Sequence, residues 1–422
     1  MKGKKRHDFI YRLSCLLFHR YLSRKFNFEY DNIKVESSPY IVVSNHLTNW
    51  DPVLIAMSFG RNMYYVATDQ IFRMGFKSKL LMYFFSPIAK AKTAHETQTV
   101  ITIFRRLKEN CNICIFAEGN TSFDGETGEI QPSIGKLIKR AGVTLVTYRF
   151  TGSFFTFPRW ARSIRKGKME GRLAQIYNSE KIASMSEQEI YEAVKNDIHV
   201  SAYADQEKNK IAYRGKNPAE YLETVLYCCP QCGHFASLAS CGDIISCTCG
   251  FKVRYNEFGY FETPKDGPPP SWEEHPLLEE HPFKEELPFW EEPAFKTIAD
   301  WVKWERKKIE TLASSLDSRG GQEPVFTDAN QLLFEIEKTV KRVLIAKGTL
   351  ALYKDRLSVT SQSGEKTEFP LEKITEMSGF ARMTIIFSTK DNKVFEIHSK
   401  HPRSALKYLD IFKSIKKLQG VI

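Results

Sequence analysis

From about residue 38 to residue 175, short apolar runs alternate with segments of helical period. Residues 40–43 read Tyr-Ile-Val-Val and residues 113–116 read Ile-Cys-Ile-Phe, while 143–150 are rich in β-branched residues. Each run has the length and composition of a strand. Between them, Val100, Ile101, Phe104 and Leu107 fall at helical spacing over 97–107. Strands alternating with helices predict an α/β fold with a mainly parallel sheet flanked by helices. In such sheets, functional side chains gather in the loops beyond the strand ends. Two polar clusters stand at such ends: Ser44-Asn45-His46 after the first run and Glu118-Gly119 after the second.

The pattern changes further along. Residues 178–222 read as helical and charged. After a cysteine-bearing stretch at 226–262, Glu273-Glu274, Glu279-Glu280, Glu285-Glu286 and Glu291-Glu292 recur with Pro276, Pro282 and Pro288 in step. Proline at that density excludes a helix, so 263–295 is expected to be an extended acidic linker. A helix is expected within 296–318, followed by a glycine-containing break. From 324 to 422, strand-like runs at 343–353, 356–360, 383–388 and 394–398 are separated by turn residues, and a helical segment at 404–418 closes the chain. Strands followed by one C-terminal helix resemble a small β-barrel-like domain of the pleckstrin-homology kind. The expected order is thus a basic amphipathic segment at 1–25, an α/β domain at 26–225, a cysteine module at 226–262, the linker, the helix and the C-terminal domain at 324–422.

Charge adds a class of partner. The 422 residues carry a formal net charge of +11, which favours an anionic partner without choosing between nucleic acid, phospholipid headgroups and a phosphorylated substrate. No apolar run reaches the roughly 18 residues needed to span a bilayer. Phe9, Ile10, Leu13, Leu16 and Leu17 share one helical face with Lys and Arg around them. Such a helix either lies on an anionic membrane surface or packs on its own domain with a solvated basic face. No signal-peptide cleavage pattern follows it. The expected location is cytoplasmic, peripheral on the inner face of the membrane.

The chemistry centres on Ser44-Asn45-His46-Leu-Thr-Asn-Trp-Asp51-Pro52. An Asp that folds back on the His accepts the imidazole Nδ1 proton, fixes the tautomer and leaves Nε2 free to take a proton from an alcohol. The second block is Phe116-Ala117-Glu118-Gly119-Asn120-Thr121-Ser122. The two blocks in this order resemble the NHxxxxD and FPEGTRS-like blocks of the PlsC-type glycerolipid acyltransferases, over roughly residues 25–175. That family moves a fatty acyl group from acyl-CoA or acyl carrier protein to a glycerophosphate hydroxyl. The resemblance implies His46 as general base and Asp51 as its orienting partner. It implies Glu118, Gly119 and Asn120 as parts of the site for a lysophospholipid acceptor, and acyl carrier protein as a candidate partner. Thr121 stands where the family has Arg, which is thought to contact the acceptor phosphate. Candidate cations for that phosphate are Lys90, Lys92, Arg149 and Arg159.

The cysteine module supplies a metal site. Cys229-Pro-Gln-Cys232-Gly and Cys247-Thr-Cys249-Gly form a zinc-ribbon pattern, in which each close pair offers two thiolates to one ion. Four cysteine ligands leave no open position, so the expected Zn2+ is structural. Cys228 and Cys241 are spares. No established nucleic-acid motif accompanies the ribbon, and no nucleic acid is expected as a partner. Two functions stay open: an O-acyltransferase of phospholipid synthesis, and a catalytically weak or inactive acyltransferase-fold protein that binds a lipid or a partner. Thr121 is the support for the second.

Overall fold

The structure is a computed structural model in which residues 2–73, 75–90, 96–264, 293–316, 323–337 and 341–420 are described. Lys92 and most of the expected acidic linker lie outside these residues. The chain forms two compact units. The first is Met1–Arg159 with Ser163–Gly215, and the second is Trp160–Arg162 with Lys216–Ile422.

The first unit opens with helix α1 (Lys2–Phe26) and strand β1 (Phe28–Tyr30). There follow β2 (Tyr40–Ser44), α2 (Asp51–Ser58), β3 (Met63–Thr68), α3 (Phe76–Phe85), β4 (Ile88–Lys90), α4 (Glu96–Lys108) and β5 (Asn112–Phe116). Next come α5 (Ser133–Ala141), β6 (Thr144–Thr151), the short α6 (Ser153–Thr156), β7 (Met169–Tyr177), α7 (Ser179–Ser184), α8 (Glu187–Asp197) and α9 (Ala202–Asn209). The charged stretch expected to be helical to residue 222 leaves the helix at Lys210, which is left-handed. Gly215 and Pro218 follow, and both disfavour a helix.

The strands form one seven-stranded sheet in the order β1-β7-β6-β2-β5-β3-β4, parallel throughout except for β6 against β7. The central strand β2 is buried along its whole length. A parallel strand covered on both faces needs an unbroken apolar run, which is why Tyr40 to Val43 shows no alternation. Ile41, Val43, Ile113, Ile115 and Leu145 of the sheet pack on Ile103 and Leu107 of α4, Ile134 and Ile138 of α5, and Ile190 and Val194 of α8.

Topology then fixes where a site can form. Parallel neighbours β2 and β5 align Ser44 with Phe116, so their C-terminal ends lie at the same edge. From β2 the chain runs on to β3, beyond β5; from β5 it runs on to β6, beyond β2. Neighbouring strands whose connections depart in opposite directions leave a crevice at their carboxyl ends. Both polar blocks begin there.

In the second unit, β8 (Leu238–Cys241), β9 (Ile244–Cys247), β10 (Lys252–Tyr255) and β11 (Phe261–Glu262) make an antiparallel sheet in the order β11-β10-β9-β8. Helix α10 (Ile298–Ser315) packs on it: the Trp301 ring lies 5.7 Å from Phe251 and 5.3 Å from Phe261. The rest is β12 (Phe326–Glu337), β13 (Lys341–Leu352), β14 (Arg356–Ser361), β15 (Lys366–Pro370), β16 (Ile374–Phe380), β17 (Thr384–Thr389), β18 (Val394–Ser399) and the closing helix α11 (Leu406–Leu418). These seven strands are antiparallel in the order β15-β14-β13-β12-β18-β17-β16. Strand β12 pairs with β13 on one side and with β18, the last strand, on the other.

Candidate active site

His46 leaves the end of β2, and Asp51 opens α2 five residues later. The His46 Nδ1–H donates to Asp51 Oδ2 at 2.9 Å. The same oxygen accepts the backbone N–H groups of Leu47 (2.7 Å) and Thr48 (2.9 Å), and Oδ1 accepts the Thr48 hydroxyl (2.7 Å). Asp51 is fully buried, so these donors replace the water that an ionised carboxylate needs. The four-residue spacing is what lets the loop curl back over the first turn of α2. The His46 ring stacks on Phe116 with centroids 4.4 Å apart. Among the described residues Nε2 has no protein partner, and it is the atom left to take a proton.

The second block braces the first. Glu118 Oε1 accepts the His46 backbone N–H at 2.6 Å, and Oε2 accepts the Gly128 N–H at 2.6 Å. Burial pushes the Glu118 carboxyl up to about 7, against the lowering effect of these two donors. Glu118 was expected in the acceptor site; both of its oxygens are instead engaged with backbone. The Ser122 N–H donates to the His46 carbonyl at 2.9 Å, which ties the two blocks again. Gly119 turns the chain with φ +71, a conformation that favours glycine, and a Cβ there would lie 4.0 Å from Lys90 Nζ. Asn120 is half-buried in the same turn.

Asn45 was not among the expected site residues. Its side chain donates to the Phe150 carbonyl (3.0 Å) and accepts the Phe150 N–H (2.8 Å), clamping the His46 loop to β6. Its place beside His46 was the available signal. Thr48 and Phe116 carried none beyond lying in the two blocks. Among the cations, Arg149 is exposed on β6, and no hydrogen bond or ion pair joins it to either block. Arg159 does reach the second block, donating to Thr121 Oγ1 at 3.0 Å.

Residues 25–151 match the model of the Acyltransferase family. The match spans His46, Asp51 and Glu118, and it supports acyl transfer in general as the chemistry of this domain. Among solved structures, the chain is similar to the 1-acyl-sn-glycerophosphate (LPA) acyltransferase PlsC from Thermotoga maritima, with 15% identity over 47% of this chain and 81% of that one and a TM-score of 0.39. It is also similar to a chain of the 8S snRNP assembly intermediate, with 15% identity over 24% of this chain and 87% of that one and a TM-score of 0.18. A third likeness is to the C-terminal domain of an unknown protein from Leishmania infantum, with 14% identity, 26% and 94% coverage and a TM-score of 0.16. No curated protein matches.

In the second unit, Cys229, Cys232, Cys247 and Cys249 bring their sulfurs within 4.8 Å of one another. The Cys229–Cys249 and Cys232–Cys247 sulfurs are each 3.7 Å apart. Four thiolates about 2.3 Å from a tetrahedral zinc would be separated by about 3.8 Å, so the set fits that ion. Cys228 points elsewhere, toward the Gly233 carbonyl at 3.3 Å, and stays a spare.

Proposed function

We propose that the protein transfers a fatty acyl group from acyl-CoA or acyl carrier protein to the hydroxyl of a lysophosphatidic acid-like acceptor. The observation that carries this is the His46 imidazole, held through Nδ1 by buried Asp51 with Nε2 open. Nε2 takes the acceptor's hydroxyl proton as the oxygen attacks the thioester carbonyl. Asp51 stabilises the imidazolium that forms, as in a serine-hydrolase triad whose nucleophile is supplied by the substrate. Collapse of the tetrahedral intermediate expels the thiolate of the donor, which recovers the proton from Nε2. The phospholipid product and the free thiol leave, and His46 is neutral again.

The reading includes work at an anionic membrane surface on the cytoplasmic side. Helix α1 buries His7, Leu22 and Phe26 and leaves Phe9, Leu13, Leu16 and Leu17 exposed. Helix α3 exposes Phe76, Leu80, Met82, Tyr83 and Phe85 beside it, with the Arg6 guanidinium 4.7 Å over the Tyr83 ring. Apolar side chains among Lys and Arg fit a lipid interface with negative headgroups. Among the described residues no helix is long and apolar enough to cross a membrane. A structural Zn2+ in the four-cysteine set and a pleckstrin-homology-like C-terminal domain complete the reading. The latter is supported by the first strand lying between the second and the seventh, with one helix after them.

The test is acyl transfer from labelled acyl-CoA to lysophosphatidic acid in anionic vesicles. His46→Ala should cost roughly 10²–10⁴-fold in rate. Leu16→Glu should weaken vesicle co-sedimentation. Wild type and His46→Ala that are equally inactive across acyl-CoA and acyl carrier protein donors would sink the enzyme reading and favour the binding module. Equal sedimentation of wild type and Leu16→Glu would remove the membrane part.

A further inference from the structure

Two arginines of the first unit, Arg172 and Arg106, are matched by acids. Arg172 meets Glu29, Asp31 and Glu170. Arg106 meets Glu109. Arg159 differs. Its Nη1 donates to Thr121 Oγ1 at 3.0 Å and to the Thr121 carbonyl at 3.3 Å, and its guanidinium carbon lies 4.1 Å over the Phe123 ring. Its Nε is buried with no hydrogen-bond partner. Among the described residues no carboxylate pairs with it. Burial alone lowers its pKa to about 10, so it is charged at neutral pH.

A densely packed guanidinium without a counter-charge is costly to keep. Its surroundings are not sealed, because part of the residue remains accessible. Its anchor also matters. Thr121 precedes Ser122, whose N–H is bonded to the His46 carbonyl, so the guanidinium is fixed to the turn that borders the dyad. Lys90 Nζ approaches the same turn at Gly119. Two cations therefore attend a turn whose one carboxylate, Glu118, is spent on backbone donors.

We propose that Arg159 recognises a phosphate monoester on the acyl acceptor, with Lys90 as the second cation. Naming the acceptor rests on the acyl-transfer reading; the phosphate site itself does not. The guanidinium fork offers directed N–H donors to phosphate oxygens, and the Phe123 ring and Thr121 hold its plane. Arg159 is a specificity residue that touches substrate away from the reacting hydroxyl. Thr121 positions it. The acceptor's phosphate supplies the missing negative charge, and its glycerol is then directed toward Nε2 of His46.

The experiment pairs binding with turnover. Full-length protein is titrated calorimetrically with glycerol 3-phosphate, with glycerol as the uncharged control. Wild type should bind glycerol 3-phosphate, Arg159→Gln should bind it at least about tenfold more weakly, and Arg159→Lys should fall between, as expected for a lost charge-assisted pair. In transfer assays the KM for lysophosphatidic acid should rise by a similar factor. The KM for a neutral monoacylglycerol should not move. Equal glycerol 3-phosphate affinity in wild type and Arg159→Gln overturns the proposal even when transfer persists. Arg159-dependent binding without any acyl product upholds the phosphate site and defeats the acyl-transfer reading instead. If Arg159→Gln does not fold, Thr121→Val keeps the charge and removes the hydroxyl that orients it. Weaker binding in that variant supports the proposal, and unchanged binding overturns it.

Discussion

Glu118 in the first unit and Glu305 in the second both turn a carboxylate inward onto backbone N–H groups, each beside the residues that carry its unit's chemistry. Glu118 spreads its load. One oxygen takes the His46 N–H and the other takes the Gly128 N–H. Glu305, fully buried on α10, puts both donors on one oxygen: Oε1 accepts from Tyr227 at 2.6 Å and from Cys228 at 2.7 Å. Its Oε2 is buried with no hydrogen-bond partner. Burial raises both carboxyls above the usual range. Glu118 therefore has no unbonded oxygen and pins two loops to each other. Glu305 has one to spare and braces a single loop, the one that leads into Cys229. Two acids with the same type of partner are thus under different constraints, and substitutions can separate them.

The largest effect is expected from emptying the second site. The purified protein should carry about one zinc per chain, and a strong chelator should unfold the cysteine-bearing sheet, because binding energy at a structural zinc is folding energy. Glu305→Ala acts on the same loop by removing the acceptor of two buried N–H groups, at about 1–3 kcal/mol for each. Its zinc should pass to a chromogenic chelator faster than that of wild type. Metal-free folded protein, or equal release rates, would break the comparison on this side.

Glutamine in place of each acid sharpens the contrast. In Glu305→Gln the amide oxygen keeps both donors, and the NH2 takes the place of the oxygen that has no partner. Both backbone N–H groups stay paired while the NH2 enters a place with no acceptor, so zinc release and stability should fall between those of wild type and Glu305→Ala. In Glu118→Gln the NH2 must face either the His46 N–H or the Gly128 N–H, donor against donor. Because Gly128 is exposed and its N–H can turn to water, that conflict should cost about 1 kcal/mol, read as a drop of roughly fivefold in kcat/KM for acyl transfer. Equal behaviour of the two glutamine variants would show that the division of donors does not matter.

Pattern alone reached some of this. The uninterrupted apolar runs at Tyr40 to Val43 and Ile113 to Phe116 marked buried parallel strands, because a strand covered on both faces has no polar positions to alternate. His46 and Asp51 were legible because their pairing is local, within one loop and one helical turn. Paired cysteines were legible for the same reason. What stayed hidden depends on contacts between distant segments. Asn45 bonding to Phe150, Arg159 bonding to Thr121 and Glu305 bonding to Cys228 each join residues that no spacing rule connects. Glu118 was located correctly at a strand end, but its partners were not foreseen, since backbone donors leave no mark in the order of side chains. Arg149 differs again: a cation placed by position on β6, it is exposed, and among the described residues no hydrogen bond or ion pair joins it to either block.

The smallest effect is a dependence of stability on pH that belongs to Glu118. Its carboxyl titrates at about 7 in the folded protein, against an ordinary value of 4.5. Between these values the folded state holds a proton that the unfolded chain has released. Stability from this group is therefore complete below about pH 4.5 and is lost as pH rises toward 7, by at most about 1.4 kcal/mol per pH unit. The slope is halved at pH 7, where the folded carboxyl is half ionised, and fades above about pH 8. Urea denaturation of wild type and Glu118→Gln at pH 5, 6, 7 and 8 isolates the term, because the other raised carboxyls, Asp205, Glu223 and Glu305, are present in both proteins and cancel. The wild-type curve should fall steeply relative to the variant from pH 5 to 7 and only slightly further from 7 to 8. Parallel curves over the whole range would mean that the two N–H donors hold Glu118 ionised against its burial. Glu118 would then be a fixed anion beside His46 rather than an acid that titrates at neutral pH.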